Sequence, residues 1–280
     1  MRIARFSLNG EPKFGIVDGP ELVVLNGHPL VAGYDTTGER VPIKEVKLLA
    51  PTIPSKVVCV GLNYADHVAE IKDVKLLAPT IPSKVVCVGL NYADHIGEID
   101  GASAAAEPTL FLKPSSSIVG PGDAIVLPSQ SNKVDLEVEL TIVMGQIAKN
   151  VTEKDALNYV WGFTIANDVT ARDLQFSDQQ WARAKSFDSF CPIGPWIETE
   201  FVPDGQELTS RINGETKQAS TLSHMLHNVP KLISYVSQNM TLLPGDVILT
   251  GTPAGISQIA SGDVVECEVE GIGTLVNPVR

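Results

Sequence analysis

Between Val134 and Leu140 the chain reads Val-Asp-Leu-Glu-Val-Glu-Leu, and this alternation leaves it few ways to fold. A period of two is the pattern of a β-strand, whose successive side chains leave opposite faces. Leu136, Val138 and Leu140 can then enter a core while Asp135, Glu137 and Glu139 line the other face, neighbours about 7 Å apart. Such a row repels itself, and each carboxylate raises the pKa of the next unless water, a base or a cation offsets the charge. A hard divalent cation with oxygen ligands does so best. Two readings stay open here: the solvated outer face of an edge strand, or a face built to hold a metal.

Composition narrows the partners. With 280 residues, 44% hydrophobic and 19% charged, the chain has the makings of a large core in one or two domains. A net charge of −12 and a pI near 4.8 argue against nucleic acid and against an anionic membrane, both of which attract basic surfaces. Small anionic substrates would need a local positive centre. No apolar run reaches the length of a membrane span, and the opening Met-Arg-Ile-Ala-Arg-Phe is too short and too polar for a signal peptide, so the expected location is cytoplasmic. Cys59, Cys87, Cys191 and Cys267 show neither Cys-x-x-Cys spacing nor a nearby histidine cluster; they read as reduced, mostly buried thiols.

Residues 1–50 read as a small β-rich module of short strands, including 14–17 and 22–25, punctuated by glycine. Residues 51–280 form the main body. Within it Lys56-Val-Val-Cys-Val60 is a continuous apolar run suited to a strand buried on both faces. The chain then repeats itself: residues 46–67 recur unchanged as 74–95, an offset of 28. Solenoid units come in several copies that drift in sequence, so one perfect extra copy reads as a tandem duplication inside a single domain. Downstream, 109–112 and 124–127 read as strands, Thr152-x-x-Asp155 resembles a capping box opening a short helix through about Tyr159, and 161–166 is a strand ending at Asn167-Asp168. A helix is expected from Asn228 as N-cap, with Pro230 in its first turn and Leu232, Ile233 and Val236 facing inward. Strands 247–250, 264–270 and 274–276 close the chain. With no βα alternation, a mixed or antiparallel β-fold with a few helices is expected, not a doubly wound parallel sheet.

Several constellations carry chemistry. His95 and Glu98 in the second copy, like His67 and Glu70 in the first, stand three residues apart, where side chains on a helical turn meet. A carboxylate there orients the imidazole and raises its basicity, which makes a water-activating dyad; a helix-surface ion pair has the same spacing. Asp168 could complete a three-carboxylate metal site with Glu137 and Glu139. Read alone, it could equally cap a turn, with Arg172 and Asp173 in a surface pair. Lys185, flanked by aromatic and apolar residues, could bind a carboxylate or a developing oxyanion. Thr250-Gly-Thr-Pro-Ala-Gly255 is a tight loop whose backbone N–H groups and Thr252 hydroxyl could face an anion, but it lacks the Gly-Lys-Ser/Thr ending of a P-loop.

From about Pro79 to the C-terminus these segments resemble the fumarylacetoacetate hydrolase superfamily. The resemblance rests on Lys84-Val-Val-Cys-Val-Gly-Leu-Asn-Tyr-Ala-Asp-His95, Phe111-Leu-Lys-Pro114, Glu137-Val-Glu139, Asn167-Asp-Val-Thr-Ala-Arg-Asp173, Ala184-Lys-Ser-Phe187 and Gly245-Asp-Val-Ile-Leu-Thr-Gly-Thr-Pro253, in the family's order. It implies an α+β, mostly β fold: a mixed β-roll core, usually in a homodimer, behind the small N-terminal module of longer bacterial members. It further implies Mg²⁺ or Mn²⁺, with Ca²⁺ a further candidate, held by Glu137, Glu139 and Asp168. His95, Glu98 and Lys185 would be catalytic, and Arg172, Gln175 and Thr252 substrate-binding. The implied substrates are 2-oxo or 2-hydroxydienoic acids, whose enolate the metal stabilises as Lewis acid and template. Hydrolysis of a C–C bond in an acylpyruvate is the first expectation. Isomerisation of a 2-hydroxymuconate-like or 2-hydroxyheptadienedioate-like diacid and decarboxylation of oxaloacetate are the alternatives, and a non-catalytic binding protein of the same fold is the remote one. The duplication departs from the family, which needs one His-x-x-Glu segment. The second copy fits better, because the distance from His95 to Phe111 suits a short lid and the strand after it.

Overall fold

The computed structural model describes residues 3–27, 29, 33–49, 76–98, 106–178 and 180–280, and the chain divides into two compact units, Met1–Lys72 and Asp73–Arg280. The expected strand at 56–60 and the pair His67 and Glu70 lie outside the described residues. Among the described residues no helix is long and apolar enough to cross a membrane.

In the first unit Ile3–Leu8, Glu11–Asp18, Glu21–Leu25 and Thr36–Pro42 follow one another as an antiparallel meander. Lys47–Leu49 then returns to pair with Ile3–Leu8. Phe6, Leu22, Val24 and Val41 close a small core.

The second unit is built on a curled mixed sheet in the order Thr109–Lys113, Val85–Gly89, Val247–Leu249, Val138–Met144, Val160–Asn167, Cys191–Glu198, Ile118–Val119. Val85–Gly89 and Val247–Leu249 run parallel, and apolar residues fill both faces of the pair, as a strand covered on two sides requires. A four-stranded antiparallel sheet (Glu215–Thr221, Glu207–Ile212, Val264–Val269, Gly273–Pro278) shares its core, with Leu208, Val269 and Leu275 in one cluster with Leu140, Ile142 and Ile165. The helix Val229–Asn239 forms as expected: Asn228 accepts from Lys231 N at 3.1 Å, Pro230 occupies the first turn, and Leu232, Ile233 and Val236 are buried.

The acidic stretch is the chief departure. It is two strands, Val134–Leu136 and Val138–Met144, that belong to different sheets. At Glu137 the backbone leaves its ladder: its N–H donates to Asn167 Oδ1 at 2.9 Å, and its carbonyl accepts from Asp168 N at 2.9 Å. Val134–Leu136 pairs instead with Thr170–Ala171 and Ser257–Gln258. Because both faces are covered, Asp135, Glu137 and Glu139 are only 2%, 3% and 2% exposed, which overturns the reading of a solvated edge face.

Two smaller expectations change. Residues 124–127 form an isolated bridge, Ile125 to Val279, and not a strand; the Ile125 and Leu127 N–H groups go to the carbonyls of Pro278 and Arg280. The turn Glu153–Tyr159 is 3₁₀, and the Thr152 hydroxyl bonds the Asp155 carboxylate at 2.7 Å in place of a backbone N–H. Cys87, Cys191 and Cys267 are free and buried, and Cys59 is outside the described residues. Burial pushes the Cys191 thiol up to about 12, so it stays protonated.

Candidate active site

The register Val138↔Asn167 brings the start of one strand beside the end of the next, so that Glu137, Glu139 and Asp168 converge. One oxygen from each lies within 4.8 Å of the others, and all three side chains are buried. Burial without compensation would be prohibitive, and most of the compensation is visible. Lys185 Nζ donates to Glu137 Oε2 at 2.9 Å and to Asp168 Oδ2 at 2.6 Å. Lys113 Nζ reaches Asp168 Oδ1 at 2.5 Å and the Val169 carbonyl at 3.1 Å. Arg172 binds Asp135 Oδ2 through Nε at 2.8 Å and Glu137 through Nη2.

The compensation is uneven. Burial would raise the Glu137 pKa, but Lys185 and Arg172 outweigh it and hold the group below the usual carboxylate range. At Glu139, burial followed by the repulsion of Asp168 and Glu137 pushes the pKa well up, against Lys185 and the Gly251 N–H at 2.6 Å. Four buried carboxylates thus face three buried cations, with the deficit at Glu139. An all-oxygen, net-negative donor set of this kind fits a hard divalent cation.

Above the triad stands the short helix Ala93–Ile96 of the second copy. His95 is buried, and its Nδ1 lies 3.2 Å from Glu98 Oε2. Glu98 is itself held, its Oε1 accepting from Gly255 N at 2.8 Å. Only glycine suits position 255: its φ is +97°, and a β-carbon there would sit 2.1 Å from the Lys217 carbonyl.

The expected residues gather at one cleft. His95, Glu137, Glu139, Asp168, Arg172, Gln175, Lys185 and Thr252 line it, with Glu98 behind His95. Arg172 is not in a surface pair with Asp173: it is fully buried, and its fork is shared among Asp135, Glu137 and Gln175, the last at 2.5 Å. Asp173 instead accepts from Ser131 Oγ at 2.5 Å and Asn132 N at 2.8 Å. The Thr252 hydroxyl donates to the Val138 carbonyl at 2.9 Å and accepts from Gln218 Nε2 at 2.8 Å, so its proton is already engaged. Of the loop's amides, Gly251 and Gly255 are aimed at carboxylates of the chain itself.

Sequence reasoning passed over Lys113 and Trp181. Lys113 was legible as the one charge in the otherwise apolar strand Thr109–Lys113, where a buried lysine demands a carboxylate partner. Trp181 carried no local signal, since its place in the cleft depends on how the loop before Ala182–Lys185 returns to the sheet.

Residues 84–280 match the model of the fumarylacetoacetate (FAA) hydrolase C-terminal family, and residues 1–51 that of the Rv2993c-like N-terminal family. The chain is 45% identical over 251 residues to the mitochondrial oxaloacetate tautomerase Fahd2a of Rattus norvegicus, a match covering 85% of this chain and 71% of the relative. Among solved structures, 5-carboxymethyl-2-hydroxymuconate delta-isomerase from Mycobacterium smegmatis superposes with a TM-score of 0.69 at 40% identity, covering 100% of this chain and 99% of that one. Fumarylpyruvate hydrolase from Pseudomonas aeruginosa, in complex with Mn²⁺ and pyruvate, superposes with a TM-score of 0.67 at 30% identity over 70% and 88% of the two chains.

Proposed function

The chain belongs to the fumarylacetoacetate hydrolase family, and from that premise we propose that it is a divalent-metal-dependent enzyme that moves a proton at the carbon beside the oxo group of a small 2-oxo acid. The observation that carries the reading is the His95–Glu98 dyad, braced by Gly255, at the same cleft as the buried triad.

Glu137, Glu139 and Asp168 would hold the cation, which when bound supplies a Lewis acid for the substrate's oxygens. The chain's own groups do the rest. Glu98 can only accept, so the ring proton of His95 resides on Nδ1 and Nε2 is left free as the base. Lys185 spends two of its three N–H donors on Glu137 and Asp168, and the third is available to an anionic oxygen in the cleft. Its charge is secure: burial alone would lower the Lys185 pKa, but Asp168 and Glu137 raise it above the ordinary value.

The same base, taking its proton from a water that attacks the carbonyl beyond C3, would begin C–C hydrolysis, in which the C3–C4 bond breaks and C3 is protonated; that was the first expectation. Proton shifting is preferred because a tautomerase and an isomerase are similar at 45% and 40% identity, against 35% for a fumarylacetoacetate hydrolase from Exiguobacterium antarcticum and 30% for the fumarylpyruvate hydrolase. The two readings separate in one experiment on oxaloacetate and acetylpyruvate with Mg²⁺ in D₂O. Solvent deuterium should enter C3 of oxaloacetate, and His95→Ala should abolish the exchange. Pyruvate released from acetylpyruvate as fast as deuterium is incorporated would replace the tautomerase reading with the hydrolase; no exchange and no cleavage would remove both.

A further inference from the structure

The charged groups of the cleft account for the head of a 2-oxo acid, and part of the remaining lining is made of carbon. Val88, Leu90, Phe111 and Trp181 form it around Gly89. The Trp181 indole lies directly on that glycine: a β-carbon at position 89 would come within 2.6 Å of its Cζ3. Gly89 closes the strand Val85–Gly89 without a left-handed φ, so the indole and not the backbone bars a side chain there. The same indole meets Phe111 edge to face, with ring centroids 5.3 Å apart, and Lys185 Nζ stands 5.0 Å from the Phe111 centroid.

The backbone at Trp181 is held without the indole. Its carbonyl accepts from Lys185 N at 3.1 Å. Arg183 binds the Asp178 carboxylate twice, at 2.8 and 2.6 Å, across the residue. Removing the ring therefore opens space and leaves Lys185 supported.

We propose that Trp181, seated on Gly89, is a specificity-determining residue: it limits the length of the tail beyond C3, so that the cleft selects compact 2-oxo acids. The inference rests on the 2-oxo acid reading above. With the head at the carboxylates and cations, the apolar residues among the described lining are left for the tail to meet. An aromatic ring laid across a glycine is a size filter that two substitutions move in opposite directions.

The test measures C3 proton exchange and binding for unbranched 2-oxo acids from 2-oxobutanoate to 2-oxooctanoate, with Mg²⁺. Trp181→Ala should shift the kcat/KM ratio of long to short members upward by about tenfold or more, the scale of a methylene or two gaining room. Trp181→Phe, which keeps a ring against Gly89, should shift it less. Gly89→Ala, whose methyl and displaced indole take up room in the cleft, should shift the ratio the other way. Parallel loss across the whole series in every folded variant would overturn the inference while leaving the 2-oxo acid reading standing. A wild-type protein that neither binds nor exchanges any member would overturn both.

Discussion

Asp246, just before the strand Val247–Leu249, and Glu139, on the neighbouring strand Val138–Met144, are buried carboxylates at opposite ends of the pairing between the two. Asp246 is saturated. Its Oδ1 accepts from Ser83 N at 3.0 Å, Ser83 Oγ at 2.5 Å and Lys84 N at 3.2 Å. Its Oδ2 accepts from Leu243 N at 2.8 Å and from the Lys84 ammonium. Burial pushes its pKa up, but the Lys84 and Ser83 side chains and the Leu243 N–H outweigh it, and the group titrates below its ordinary value. Glu139, beside two other carboxylates, has the Gly251 N–H and is pushed the other way. The difference separates a carboxylate that fastens strands from one held by a backbone N–H beside two like charges, in a cluster that could hold a metal ion.

Substitution at the two ends should give opposite profiles, and the largest effect belongs to the unsaturated one. Glu139→Gln should cost roughly 10³-fold in turnover, the equivalent of losing several kcal/mol of Lewis-acid stabilisation. Calorimetry should find Mn²⁺ binding abolished. The metal-free variant should nonetheless melt higher than wild type, because the repulsion from Asp168 and Glu137 is relieved. A lower melting temperature would mean that Glu139 is structural.

Asp246→Asn should do the reverse. Removing the charge strands the Lys84 ammonium and mismatches the donors around it, a change worth about 3 kcal/mol in a urea titration. Mn²⁺ affinity should not move, since Asp246 is no part of the triad.

Acid sharpens the same contrast. The folded pKa of Asp246 lies below its unfolded value, so its contribution is fully present above the unfolded pKa of about 3.9 and is lost as pH falls through the folded pKa. The stability gap between wild type and Asp246→Asn should therefore be constant from neutral pH down to about 5 and close progressively below about 4. A gap that stays open at the acid end would mean that hydrogen-bond geometry, not ionisation, carries the clamp.

The comparison also marks what could be read in advance. A local signal held at Asn228 with Pro230, which fixed a helix start without needing distant partners; the apolar run read as a strand at 56–60 lies outside the described residues, and the identical run in the second copy forms Val85–Gly89. Glu137 and Glu139 were legible as members of a carboxylate cluster because alternating acids are costly wherever they fold. The sheet change at Glu137 was not, since the alternation of side chains continues through it while the hydrogen-bond partners switch from one sheet to another. The Asp246 clamp stayed invisible for a related reason: Gly245-Asp246 has the composition of an ordinary turn, and all its donors but Leu243 N come from Ser83 and Lys84, 163 and 162 residues away.

That clamp offers the finest test, because the chain carries its donors twice. Ser55-Lys56 in the first copy is identical to Ser83-Lys84 in the second, and in the structure the second serves Asp246 and leads into Val85–Gly89 and His95. Lys84 is partly exposed, and the Ser83 and backbone donors would remain, so Lys84→Met should cost only about 1 kcal/mol. Lys56→Met should then cost nothing, and the double variant should match Lys84→Met alone in urea titrations. If the copies exchange in the slot, each single change would be masked by the intact copy, and only the double variant would show the loss. The coupling energy of this cycle reports which copy holds the sheet and, through the residues that follow, which histidine stands at the cleft.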